Sequence, residues 1–238
     1  SLTYIATSLT QFLTCGLNYD GTKAVIASDD SSLKVWNFTI SATSIETITS
    51  SPKQLFAGFG GDNCVICADD KYPNPFNEVN IFQKNGSTWS ANTNINTITG
   101  TDIAGAHLAR DSLSCAINMG TNIEVYTRSS TANSFSLLTT ISGVSASSNR
   151  YDIYYSLQIA NNHLAVAYRG KVYNLNTSTT PHSYVLDPNT SSNSGLITFL
   201  STDASRLFNA TVVSSDGGTG TQIDHLDGGT IISFVNND

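Results

Sequence analysis

Three observations predict an all-β chain and, within that class, a five-bladed β-propeller of four-stranded antiparallel blades. First, one short apolar run, Ala24-Val25-Ile26-Ala27, returns in the same shape four more times. The copies are Cys64-Val65-Ile66-Cys67, Leu113-Ser114-Cys115-Ala116, Leu164-Ala165-Val166-Ala167 and Leu207-Phe208-Asn209-Ala210. Their intervals are 40, 49, 51 and 43 residues, about the period of a propeller blade. Second, each copy is flanked by further alternating segments, linked by Gly, Asn, Asp and Ser, the residues of tight turns. Third, roughly a quarter of the chain is Ser or Thr and only 12% is charged, a composition suited to pleated surfaces and turns.

The strands follow one order in every copy. The first ends on a bulky apolar residue: Leu17, Phe59, Leu108, Ile159 or Leu200. The recurring run is the second strand. Its fourth position is always small (Ala27, Cys67, Ala116, Ala167, Ala210), which is expected to mark the place where neighbouring sheets press together. The third strand closes on an aromatic residue four times, at Trp36, Phe82, Tyr126 and Tyr173, and on Asp224 in the fifth copy. The fourth strand is clearest at Ile45–Thr49, Ile95–Thr99 and Leu138–Ser142, and shorter at Tyr184–Leu186 and Ile231–Phe234. Blades are thus expected over about 11–51, 52–100, 101–143, 144–190 and 191–238, in one domain. A ring of such sheets buries both faces of each and leaves only short edges. Residues 1–10, with a strand-like stretch from Tyr4 to Leu9, either close the ring or are donated to a second copy.

The stretch NYDGTKAVIASDDSSLKVWNF, residues 18–38, resembles the WD-repeat signature, with Trp36-Asn37 where that family has Trp-Asp. The stretch EVNIFQKNGSTWSANTNI, residues 78–95, is similar to the outer hairpin of FG-GAP-type extracellular propellers. Both resemblances imply a propeller.

Charge narrows the partners. The net charge is −7 and the pI about 4.8, which disfavours nucleic acid and anionic membrane surfaces. No apolar run reaches the length of a membrane span. The hydroxyl-rich, charge-poor composition points to an extracellular or cell-surface location, with the cytoplasm as the alternative.

The candidate contact residues lie on loops at one end of the sheets. Tyr72 and Phe76 flank a double-proline insertion between second and third strands, and Arg150 and Tyr151 sit between the third and fourth blades. Tyr and Arg dominate binding hot spots. Of five Asn-x-Ser/Thr sequons, Asn85, Asn176 and Asn189 are the expected glycan acceptors, and Asn85 comes first because it precedes Gly86 in a hairpin turn. Cys64 and Cys67 point to opposite faces of one strand, so at most one bridge is expected, Cys67 to Cys115 or Cys67 to Cys15. The Asp29-Asp30 and Asp69-Asp70 pairs read as turn caps, and no metal ligand set or cofactor motif is apparent. The four histidines are scattered and no nucleophile motif occurs. The expected function is therefore a non-catalytic structural or protein-interaction module, self-assembling as a homo-oligomer or filament through residues 1–10. A glycan-binding lectin is the alternative, and a glycosidase or lyase on the same scaffold the second alternative.

Overall fold

The computed structural model describes residues 12–28, 32–38, 43–49, 54–61, 63–69, 76–89, 94–131, 134–144, 157–188, 190, 197–205 and 207–210. They form an all-β fold of four four-stranded antiparallel sheets and one two-stranded sheet. The first sheet is β1 (Phe12–Leu17), β2 (Lys23–Ser28), β3 (Leu33–Phe38) and β4 (Thr43–Thr49). The second is β5 (Gln54–Gly60), β6 (Cys64–Asp69), β7 (Phe76–Gln83) and β8 (Asn94–Ile103), whose last strand runs past the expected boundary at 100. The third is β9 (Gly105–Leu108), β10 (Ser114–Asn118), β11 (Asn122–Thr127) and β12 (Ser136–Ser142). The fourth is β13 (Leu157–Ile159), β14 (Ala165–Tyr168), β15 (Lys171–Asn176) and β16 (Ser183–Leu186). A last pair, β17 (Ile197–Leu200) and β18 (Leu207–Ala210), completes the described residues. Strands pair in chain order within every sheet.

One register recurs. The apolar end of each first strand faces a second-strand residue, which faces the aromatic of the third strand. The rows are Leu17–Ala24–Trp36, Phe59–Val65–Phe82, Leu108–Cys115–Tyr126 and Ile159–Val166–Tyr173, with Leu200–Leu207 in the last pair. The true repeat therefore runs through 24, 65, 115, 166 and 207. This corrects the column of small residues. Ala27, Cys67, Ala116 and Ala167 are all fully buried, but Cys67 stands two positions past its row while the others stand one or three past theirs. Side chains alternate between faces, so an even offset puts Cys67 on the opposite face.

The register decides how the sheets pack. In the second, third and fourth sheets the aromatic face lies on the aliphatic face of the sheet before it, and the last pair packs Leu207 on the fourth sheet. Val65, Cys67 and Phe82 meet Val25, Ala27, Leu33 and Val35. Cys115, Ile117 and Tyr126 meet Ile66, Ala68, Val79 and Ile81. Val166, Tyr168 and Tyr173 meet Ala116, Ile123 and Val125. Leu207 meets Ala165, Ala167 and Val172. Each buried aliphatic side chain contributes roughly 1.5–3 kcal/mol.

Two first-strand glycines, Gly16 and Gly60, sit where neighbouring sheets approach closely. A Cβ on Gly16 would lie 3.0 Å from the Ala57 oxygen, and one on Gly60 would run into Leu108 and sit 2.6 Å from the Ala109 oxygen. Turns between first and second strands are stitched together as well. Ser112 Oγ donates to the Gly60 oxygen, and the Asn161 amide donates to the Thr202 oxygen at 2.8 Å. At the joint of the third and fourth sheets, the Ile159 amide donates to His107 Nδ1 at 3.2 Å.

Candidate functional site

Three of the loop residues singled out from sequence, Tyr72, Arg150 and Tyr151, lie outside the described residues; Phe76 opens β7 opposite Ile103. The structure instead shows a groove at the other end of the sheets, between the third and the fourth. Its volume is about 490 Å3 and its lining is Leu113, Thr127, Arg128, Ser129, Ser134, Ser136, Asn162 and His163.

Its floor is a clasp between two turns. Asp111, in the turn between β9 and β10, accepts the Leu113 amide on Oδ1 at 2.8 Å and the Asn162 amide on Oδ2 at 2.5 Å. Asn161 returns the contact, its Oδ1 accepting the Asp111 amide at 2.9 Å. The partner turn, a short 3-10 segment over Asn161–His163, holds Asn162 and His163 at φ of 51° and 50°. Asn and His tolerate this left-handed region better than most residues.

The wall is built from residues 127–131 and 134–136, anchored by Arg128. Its side chain is buried. Nε donates to the Ser112 oxygen at 2.7 Å, Nη1 to the Thr131 oxygen at 3.1 Å and Nη2 to Gln83 Oε1 at 2.9 Å. Nη2 also lies 3.7 Å from Cys64 Sγ, and the guanidinium stacks 4.6 Å from the Phe135 ring centre. A planar fork suits this many acceptors. Asn96 of β8 holds the same wall, its Oδ1 accepting the Phe135 amide at 2.6 Å and its Nδ2 donating to the Phe135 oxygen at 3.3 Å.

The Asn162 side-chain carboxamide, the His163 ring and the Thr127 and Ser134 hydroxyls find no hydrogen-bond partner among the described residues. They are neutral. Burial lowers the His163 pKa, the strongest influence on it, while Asp111 pulls it up and His182 pushes it down. The groove therefore offers uncharged donors and acceptors. The buried thiols are no nucleophiles: burial pushes Cys64 up to about 12 and raises Cys115 further, although Arg128 opposes both shifts. Among the described residues no group of three His, Cys, Asp or Glu could hold a metal ion.

A different surface runs along the outermost strands. Ile45 of β4, Leu137 of β12 and Val185 and Leu186 of β16 are 49%, 52%, 53% and 44% exposed. Neither β12 nor β16 carries a charged side chain, and the one carboxylate of β4, Glu46, meets Lys84 Nζ at 3.0 Å.

Other sequence expectations resolve individually. Cys115 is a free buried thiol, so the Cys67–Cys115 bridge is not formed. Cys64 and Cys115 instead share the core between the second and third sheets, while Cys67 faces the first. For Cys15 only the register, opposite Ile26, is described. Asn85 is exposed in a hairpin bridge with Thr88, as its turn position predicted. Asn176 is half-buried and its Oδ1 accepts both the Ser178 amide at 3.0 Å and the Ser178 hydroxyl. Asn189 lies outside the described residues.

One signal could have located the clasp. Asp20, Asp62, Asp111, Asn162 and Asp203 each stand three residues after the apolar end of a first strand. Asp20 and Asp203 cap their own turns, accepting the Thr22 and Ser205 amides at 2.9 and 3.1 Å, as Asp111 does for Leu113. No family model and no curated protein matches the chain. No helix among the described residues is long and apolar enough to cross a membrane.

Proposed function

We propose that the chain is a five-bladed β-propeller serving as a non-catalytic interaction module, and that it assembles with a second copy through its outer strands. The ring reading is supported by the uniform packing of aromatic face on aliphatic face. It is also supported by the first sheet, whose own aromatic face, with Ala24, Ile26 and Trp36, is buried. In a ring that face receives the fifth blade.

The observation that carries the function is the outer rim. Soluble proteins blunt edge strands with Lys, Pro or bulges, because an open edge is a template for pairing with another chain. Here β12 and β16 present apolar side chains and no charge. Two copies at −7 each repel over most of their surface, and these edges are where contact is least opposed. The same reading places the protein outside the cell, where its hydroxyl-rich surface and the exposed Asn85 sequon belong. The earlier expectation of assembly through residues 1–10 concerns a segment outside the described residues.

Size-exclusion chromatography with light scattering tests it. The full chain at about 100 μM is expected to run as an oligomer, and Leu137→Lys with Val185→Lys is expected to return it to 25.3 kDa. A wild-type monomer, or an oligomer untouched by the two lysines, refutes the reading. Deleting residues 1–10 then separates the rim from the terminal segment.

A further inference from the structure

We infer that the groove between the third and fourth sheets binds a small uncharged polyhydroxylated ligand, in the first instance a sugar residue. The inference is independent of the rim and of ring closure. It starts from the convergence of four polar groups without partners among the described residues: the Asn162 side-chain carboxamide, the His163 ring and the Thr127 and Ser134 hydroxyls. Binding sites place a few such groups at fixed positions in a concave surface. The volume of about 490 Å3 falls within the ~300–1,000 Å3 of small-molecule sites.

The surrounding bonds fix the backbone that carries these side chains. Asp111 grips the Asn162 amide nitrogen, Tyr184 Oη donates to the His163 oxygen at 2.6 Å, and Arg128 and Asn96 pin the opposite wall. The backbone beneath the binding side chains is therefore ordered before a ligand arrives, which favours affinity.

Charge selects the class. Arg128 lines the groove with its guanidinium donating to Ser112, Thr131 and Gln83, and the Asp111 carboxylate beneath it accepts the Leu113 and Asn162 backbone amides. Both charges are engaged within the protein, so neither a cation nor an anion is favoured. No Phe, Tyr or Trp ring is among the lining residues, so a nucleobase has only the His163 imidazole to stack on, and Leu113 is the one apolar lining residue. Hydroxyl and amide groups that both donate and accept match the vicinal hydroxyls of a sugar.

The test is an amide-resolved NMR titration of the full chain. The probes are glucose, galactose, mannose and N-acetylglucosamine, with inorganic phosphate and spermidine as charged controls. At least one neutral sugar is expected to shift the amides of residues 127–136 and 162–164, and neither control is. Asn162→Gly keeps the left-handed backbone and the amide bond to Asp111 while removing the side chain. It is expected to weaken that sugar at least tenfold, and Ser134→Ala to weaken it several-fold. Spectra of the free variants show that the fold is kept. The inference is overturned if no sugar shifts those amides, if phosphate or spermidine shifts them instead, or if Asn162→Gly binds as tightly as the wild type.

Discussion

Replacing Gly60 with alanine sets two known effects against each other. Alanine restricts the unfolded chain, which alone stabilises by about 0.5–1 kcal/mol. The new methyl group, however, points into the joint between the second and third sheets. It overlaps Leu108 and stands 2.6 Å from the Ala109 oxygen. Leu108 is 1% exposed and shares the core of that joint with Ile66, Ile81 and Ile117, so it has nowhere to retreat. Overpacking of this kind costs roughly 1–3 kcal/mol. Overlap with a buried side chain and a backbone oxygen together puts the cost in the upper half of that range, so the net expectation is a loss of about 1–2.5 kcal/mol. Urea unfolding reads it as a lower midpoint at an unchanged slope. Leu108→Ala should open room for the methyl group, so the double variant should be more stable than the two single losses predict. A Gly60→Ala protein as stable as the wild type, or more stable by the backbone term alone, would refute the claim that the second and third sheets leave no room for a side chain at Gly60.

Stability should also depend on pH through His107. Burial lowers its pKa to about 4, so the folded state keeps the ring neutral with Nδ1 accepting from Ile159. The unfolded chain takes up the proton near 6.5, so stability is full above that value and falls as pH drops towards 4. Between pH 7 and pH 5 the loss is about 2 kcal/mol, and urea unfolding of His107→Phe should show a correspondingly flatter profile. Arg128→Met removes the donors to Ser112, Thr131 and Gln83 and leaves their oxygens short of partners. A loss of about 3 kcal/mol or more in the same assay is expected, and a change under about 1 kcal/mol would contradict the anchoring role.

Much of the fold was legible because the residues with the strongest preferences stand in register. Leu17, Phe59, Leu108 and Ile159 at the ends of first strands and Trp36, Phe82, Tyr126 and Tyr173 on third strands fall in the same rows. The slip at Cys67 has a physical cause. Alternation reveals a strand's facing only when one face is wet, and Cys64 through Ala68 are buried without exception. The expected Cys67–Cys115 bridge followed the slip, since Cys67 faces the first sheet while Cys115 packs in the joint of the second and third. The groove was not legible for a different reason. Thr127, Ser134 and Asn162 are ordinary residues in a chain rich in all three, and Arg128 acquires its role from acceptors on two sheets. Asp111 and Asn162 belong to a repeat that becomes visible once the first strands are aligned.

The central claim is that successive sheets turn in one sense until the fifth meets the first. Spin labels carried by unnatural amino acids at Tyr19 and Ser205 mark the turns of the first and fifth units. Five sheets stacked in a line would hold those turns about 40 Å apart, at ~10 Å per step. In a ring they are neighbours, as the bonded turns at Asn161 and Thr202 already are. Pulsed electron double resonance is expected to return a distance under about 25 Å, and a distribution centred near 40 Å contradicts closure.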